Sequence, residues 1–422
     1  MGGAFRASLA CEGRNAPTMD GMTAKTPARP MARGRMFFAN PGPTNIPDSV
    51  LLATARASVD FNDPAFMAVY AACMAGLKKV LKTEKGTVFC MTTSGHGAWE
   101  ASLVNVLSPG DTVLIPETGH FSDTWAKMAQ RLGYKVQWLP ADWRQGIEMA
   151  RIREALAADA AHAIKAVCCV HNETAAGTRL PIEQVRAILD ELRHPALLMA
   201  DTISSLGCYD FRMDEWGVDV CVGGSQKGLM LPTGFAFTGA SPKALAAHQA
   251  ATTPRFYMDW TQMLARPQKS FVGTVPVTLF YGLQEALRLM LEEEGLENVF
   301  RRHARLARAV RACVAHWGEG NSGPQLFCQN PERASDSVTT VLMPEGHDAE
   351  AVRRIALERF NVSTGAGLNV LAGKVFRIGH LGDLNEPMIL GTLGAVEMAL
   401  ELVGVPHRKG GVQAAMASLT QP

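Results

Sequence analysis

No sign of charge dominates this sequence: 41 Lys and Arg stand against 40 Asp and Glu, a net charge of +1. Without a basic excess to track phosphates, nucleic acid is not expected as a partner. The 11 histidines show no HExxH spacing, and no glycine run has Walker or dinucleotide form, so neither a metal site nor a nucleotide cradle has support. The nine cysteines (Cys11, Cys73, Cys90, Cys168, Cys169, Cys208, Cys221, Cys313 and Cys328) include no CxxC pair and form an odd set. Most lie in apolar runs such as "AVCCV" and "VDVCV", where cysteine packs as a small hydrophobe, so they read as reduced core thiols. No apolar run approaches the length of a membrane span, the first residues lack a secretory signal, and the final "LTQP" lacks a peroxisomal tripeptide. The expectation is a soluble, cytoplasmic protein with no membrane partner.

What is present is enough apolar material, 47% of 422 residues, to bury a large core and divide into two domains. Residues 1–35 are rich in Ala, Arg, Gly, Thr and Pro and read as a disordered N-terminal extension. An acid-poor transit peptide is the other reading, and Met19, Met31 and Met36 are possible starts.

From Met36 strands and helices alternate. The β-rich runs "TVFCMTT", "DTVLIP", "YKVQWLP", "IKAVCCVH", "PALLMAD" and "VDVCVGG" are separated by helical periodicity such as "GAWEASLVNVL" and "IEQVRAILDELR". Continuous apolar runs suit strands buried on both faces, which predicts an α/β protein with a mainly parallel sheet covered by helices. A helix around Tyr281 to Leu296 then leads to isolated strand candidates "SVTTVLMP" and "KVFRIGHLG". The expected division is a large domain at 36–295, with an N-terminal arm, and a smaller α+β domain at 296–422.

Ligands of open α/β sheets sit beyond the carboxyl ends of the strands. After "TVFCMTT" comes "SGHGAWE", where Ser94, Gly95 and His96 would make an anion cradle at a helix N-terminus. A plain turn capped by Ser94 fits that stretch equally well. After "IKAVCCVH" comes Thr174, a weak signal alone. After "PALLMA" comes Asp201, a carboxylate at the lip of a buried strand that must find a cation or strong donors. After "VDVCV" comes "GGSQKGLMLPTG", with Lys227 among small residues; desolvation there lowers the amine's pKa and frees it as a nucleophile. Anion cradle, buried acid and nucleophilic amine at strand ends are the parts needed to hold pyridoxal phosphate.

With these residues the sequence resembles the class V, fold-type I aminotransferases, in particular the serine-, alanine- and aspartate-glyoxylate group. The resemblance covers nearly all of the chain after Met36 and rests on "PGPTNIP" at Pro41, "SGHGAWE", "HNETAAGT" at His171, "GSQKGLMLP" at Gly224, "GLENVF" at Gly295 and "GKVFRIGHLGDLNE" at Gly373. It implies a mainly parallel seven-stranded sheet in the large domain and pyridoxal 5'-phosphate as cofactor. Lys227 would form the Schiff base and move the substrate proton, and Asp201 would pair with the pyridinium nitrogen. Ser94, Gly95, His96 and Gln226 would contact phosphate and ring, Phe121 would stack on the ring, and Thr174 would face the ring oxygen. Thr274, in "GTVPV", would reach the phosphate of the neighbouring subunit, making a homodimer part of the site. Arg377 would grip the substrate carboxylate, with Gly42 and Pro43 beside the substrate. For Arg377 residue chemistry points the same way, since a planar fork suits a carboxylate; an ion pair with Asp383 is the competing role.

The implied reaction is ping-pong transamination between a small amino acid, serine first, and glyoxylate, giving a 2-oxo acid and glycine. Alanine and aspartate are the alternative donors. Two stretches depart from the family pattern: Phe61 and Asn62 replace a usual His-Arg, and Phe271 replaces a frequent tyrosine. A cysteine desulfurase would need a reactive cysteine late in the chain, and none follows Cys328. A non-catalytic regulatory protein on the same scaffold would be expected to lose Lys227 or Asp201.

Overall fold

A computed structural model describes residues 34–266, 271–320 and 322–421. The expected extension at 1–35 therefore lies almost wholly outside the described residues. Among the described residues, fourteen strands form two main sheets and one hairpin. Strand β1 (Phe37–Ala39) runs parallel to a strand of the second sheet, and the chain then crosses to the first.

The first sheet contains β2 (Thr87–Met91), β3 (Thr112–Pro116), β4 (Lys135–Leu139) and β5 (Ile164–Val170). A short hairpin follows, β6 (Asn172–Glu173) and β7 (Thr178–Arg179), before β8 (Leu197–Asp201), β9 (Val220–Gly224) and β10 (Ala236–Ala240) complete the sheet. Its order is β2-β10-β9-β8-β5-β3-β4, seven strands with only β10 antiparallel to its neighbours. Strands β8, β9 and β10 are buried along their whole length, as their unbroken apolar and small residues require when helices cover both faces. Because β5, β8 and β9 are adjacent and parallel, the residues that follow them emerge side by side at one edge.

The helix Pro64–Leu81 corrects the reading that no run approaches a membrane span, since its length and composition would suffice. It is placed as a core helix: Asp63 caps it by accepting from the Ala65 amide at 2.8 Å, and Phe66 meets Phe280 edge-on in the interior. The helical stretch after Thr274 also differs from expectation. It breaks into Val277–Arg288, a π turn Leu289–Glu293 and Leu296–Trp317, with Gly295 at φ +79° turning the chain between them.

The second sheet adds β11 (Gln325–Leu326), β12 (Val338–Leu342), β13 (Val362–Ala366) and β14 (Val375–Gly379), in the order β1-β13-β14-β12-β11. Leu306, Val310, Val314 and Trp317 pack with Val341, Phe376 and Ile378 into a separate core on this sheet. Arg377 lies in register opposite Thr340 on one side and Gly365 on the other.

Candidate active site

Lys227 follows β9 in a turn and is buried to 9% exposure. Its Nζ donates to the main-chain carbonyl of Pro41 at 2.5 Å, and its own carbonyl accepts from the Thr44 hydroxyl. Gly42 stands at φ +118°, and a Cβ there would overlap the lysine side chain, so glycine is what lets the crossing segment pass this close. Burial, helped by repulsion from Arg377, lowers the Lys227 pKa to about 8, while Asp201 and Cys208 oppose the shift.

One strand away, Asp201 ends β8 with its Oδ1 accepting from the Ile203 amide at 2.7 Å. Burial raises its pKa to about 7 against that amide and the nearby Lys227 charge. The indole N–H of Trp99 faces Asp201 electrostatically without completing a hydrogen bond.

These groups share one pocket of about 180 Å³. Ser94, Gly95, His96, Phe121, Thr174 and Gln226 line it, as do Gly42 and Pro43, so ten of the twelve residues expected at the site converge. Ser94 is the N-cap of helix Gly95–Val106 but makes no side-chain cap, which removes the plain capping role considered for it. The amides of Gly95, His96 and Gly97 precede the first intrahelical bond, from Ala98 N to Ser94 O at 3.2 Å, and Gly95 and His96 bring this helix N-terminus to the pocket wall. The His96 ring tilts over Trp99 at 4.8 Å, and burial lowers its pKa. Phe121 meets Trp99 edge-on at 6.2 Å, and the Thr174 hydroxyl bonds to that of Ser204 at 2.8 Å.

Two expected residues do not line the pocket. Thr274 is exposed on the loop before helix Val277–Arg288. Arg377 is buried beside the pocket, where Nε donates to Ala366 O at 2.6 Å and Nη1 to Thr174 O at 3.1 Å. Burial lowers its pKa to about 10, and Glu173 opposes that shift. Among the described residues it makes no ion pair, so the competing role with Asp383 is not realised; burial raises the Asp383 pKa while Arg302 pulls it down.

The departures also find places. Asn62 folds back on the Asp60 carboxylate in an exposed turn, and Phe61 packs against the core; neither lines the pocket. Phe271 is buried and meets Phe280 edge-on at 5.8 Å.

Sequence reasoning missed Glu173, Trp99, Ile203, Ser204 and Thr233. The last four line the pocket, and Trp99 sits within the "SGHGAWE" stretch. Glu173 is fully buried in the hairpin: Oε2 accepts from the Phe121 and Ser122 amides at 3.0 and 3.4 Å and from the Thr118 hydroxyl, and Oε1 from the Ala175 amide at 3.1 Å. Burial raises its pKa to about 7. A carboxylate at the start of helix His120–Arg131 complements the helix dipole. The signal available in the sequence was a lone acid inside "HNETAAGT", between polar and small residues.

The residues present fit pyridoxal phosphate. A helix N-terminus, a buried acid and a buried amine surround the pocket, and Gln226 Oε1 is buried there without a hydrogen-bond partner among the described residues.

Residues 36–379 match the family Aminotransferase class-V. The chain is 44% identical over 390 residues to the serine--glyoxylate aminotransferase of Arabidopsis thaliana, covering 92% of this chain and 96% of that protein. It is also 44% identical over 383 residues to the L-aspartate--glyoxylate aminotransferase of Paracoccus denitrificans, covering 90% of this chain and 95% of that one. The crystal structure of ureidoglycine-glyoxylate aminotransferase from Bacillus subtilis superposes with a TM-score of 0.84 at 27% identity, covering 93% of this chain and 100% of that one. The chain therefore belongs to the class V aminotransferases, built on fold type I and dependent on pyridoxal 5'-phosphate.

Proposed function

We propose that the protein transfers the amino group of a small amino acid, L-serine first, to glyoxylate, yielding a 2-oxo acid and glycine. The observation that carries this reading is the juxtaposition of Lys227 and Asp201 at adjacent strand ends beside a helix N-terminus. The choice of glyoxylate and serine rests on the relatives at 44 to 45% identity, three of which are named serine--glyoxylate aminotransferases.

When bound, the cofactor supplies the aldehyde that takes the amine and the ring that accepts electron density from the substrate α-carbon. The Ser94, Gly95 and His96 segment, with Gln226, would hold a phosphate through helix N-terminal amides and side-chain donors. Asp201, as a carboxylate, would pair with the ring nitrogen and favour its protonated form. Phe121 and Thr174, which line the pocket, would contact the ring. Lys227, with its amine free, would take the proton from the substrate α-carbon as general base and return it as general acid. Its low pKa makes the neutral form available near neutral pH. Arg377 orients the substrate carboxylate through its guanidinium, and the Gly42 and Pro43 segment closes the pocket over the lysine.

Thr274 acts across a subunit interface in a homodimer; its exposure away from its own pocket favours that role. Seven free thiols are fully buried, which suits a reducing compartment such as the cytoplasm. Aspartate is the second donor reading, because of the relative at 44% identity named for it. A desulfurase reading finds no support in Cys328, whose thiol donates to Asn330 O outside the pocket and whose pKa burial raises. A panel of serine, alanine and aspartate against glyoxylate and pyruvate tests the proposal. Serine with glyoxylate is expected to lead, and poor glyoxylate use with every donor would overturn the assignment.

A further inference from the structure

The first turn of helix Gly95–Val106 is seated on the chain that leaves β8. A Cβ on Gly95 would overlap the Ile203 side chain, so the helix touches the residue two positions beyond Asp201. Trp99 lies four residues after Gly95 and therefore on the same face of the helix. Trp99 and Asp201 are both buried, and both line the active-site pocket.

Three rings fix the indole of Trp99. Trp125 stacks on it at 5.6 Å with an interplanar angle of 14°, His96 tilts over it at 4.8 Å, and Phe121 meets it edge-on at 6.2 Å. Close packing of this kind leaves the indole little freedom to turn. An indole nitrogen has one N–H to donate and accepts nothing. Burial raises the Asp201 pKa, and the Trp99 N–H pulls against that rise without completing a hydrogen bond to any group among the described residues.

The surroundings of Asp201 give this donor a purpose. Its Oδ1 accepts from the Ile203 amide at 2.7 Å, the one hydrogen bond in full geometry that the carboxylate makes among the described residues. Two ionisable groups face it: Lys227, in the turn after β9, favours the carboxylate, and Glu173, in the β6–β7 hairpin, is a second buried acid within its field. The help from Lys227 lasts only while its amine is charged, and a general base must be neutral. The Ile203 amide and the Trp99 indole carry no charge to lose. A donor aimed at a carboxylate lowers its affinity for a proton. Where Asp201 and a ring nitrogen share one proton, such a donor therefore favours the proton on the ring.

We propose that Trp99 is a positioning residue acting through Asp201: its indole N–H donates to the carboxylate and keeps the shared proton on the cofactor's ring nitrogen. The proposal rests on the reading that Asp201 pairs with that nitrogen.

The chemical shift of an isotope-labelled ring nitrogen in the holoenzyme, read by NMR at one fixed pH, tests this. In Trp99→Phe the shift is expected to move from the protonated towards the unprotonated value, and kcat for serine with glyoxylate to fall about 5- to 10-fold with the KM for serine within about 2-fold of wild type. Benzothienylalanine in place of Trp99 exchanges the N–H for sulfur and keeps both rings, so it should give the same change without a loss of packing. Trp125→Phe removes the neighbouring indole, which does not line the pocket, and should leave the nitrogen at its wild-type shift. A wild-type shift in the benzothienylalanine protein would overturn the proposal, as would an equal change in Trp125→Phe. Asp201→Asn separates the two readings. A change there with none at position 99 overturns the role of Trp99 alone, whereas no change in Asp201→Asn overturns the pairing of Asp201 with the ring and this proposal with it.

Discussion

Arg377 donates from Nη1 to the main-chain carbonyl of Thr174 at 3.1 Å, tying the second sheet to the hairpin that lines the active-site pocket. The arginine is thus held in place by two backbone carbonyls rather than by an acid, and its charge stays available to a substrate carboxylate. Arg377→Lys keeps a positive charge but loses the fork. The expected result is a KM for the amino donor raised about 10-fold or more, with cofactor affinity within about 2-fold of wild type. Steady-state kinetics beside a cofactor titration separates the two.

Glu173 joins the hairpin to the start of helix His120–Arg131 through the Phe121, Ser122 and Ala175 amides. In Glu173→Gln an amide nitrogen faces donors, so part of this set is lost at a fully buried position. A loss on the order of 1–3 kcal/mol in stability is expected, with weaker cofactor binding because Phe121 is no longer fixed. Thermal melting of apo and holo forms reads both effects, and Glu173→Asp should not restore them, because its shorter side chain cannot reach the same amides.

For Asp201 the sign of the pH effect differs between stability and activity. Burial raises its folded pKa to about 7 from the ordinary 3.8, so the folded apoenzyme keeps the proton longer than the unfolded chain does. Stability of the apoenzyme therefore falls as pH rises from about 4 to about 7 and stays lowered above that. Asp201→Asn removes this term and should melt higher than the wild-type apoenzyme at pH 8, by at most about 4 kcal/mol, with little difference at pH 4. The same substitution should lower turnover of the loaded enzyme about 100-fold or more, because the ring nitrogen loses its anionic partner. Equal melting curves for the two apoenzymes at pH 8 would contradict the buried-carboxylate account.

If Thr274 serves a neighbouring subunit, light scattering should give a mass about twice the 45.4 kDa of one chain. Thr274→Ala should then weaken cofactor binding about 5- to 10-fold, the loss of one hydrogen bond to a charged group, despite the residue's exposure in its own chain. A monomeric holoenzyme with full activity would remove that role.

Much of this site was legible in the sequence because a parallel sheet turns chain order into spatial order. Asp201 and Lys227 follow apolar runs, and the strands they end are neighbours. Strand β10 was not legible: "AFTGA" is short and small-residued, and its antiparallel place between β9 and β2 depends on pairing rather than on periodicity. The partnership of β1 with β13 joins residues more than 300 positions apart, and three residues carry no pattern of their own. Glu173 was missed for a related reason. A buried acid in a polar hairpin has no apolar run to announce its burial, and its amide donors come from a helix more than 50 residues earlier. Of the positions that depart from the family, Phe61 and Asn62 lie in the turn leading into the helix Pro64–Leu81, Asn62 exposed and Phe61 packed on the core, and neither lines the pocket.

The central claim is that the amine of Lys227, whose pKa burial lowers to about 8, carries the proton transfer. The most direct measurement is the multiple-turnover rate of glycine formation from serine and glyoxylate by Lys227→Ala supplied with excess pyridoxal phosphate. The expected rate is lower than that of the wild type by about 100-fold or more, in a protein that still folds and binds the cofactor without covalent attachment. Wild-type turnover in that variant would contradict the account.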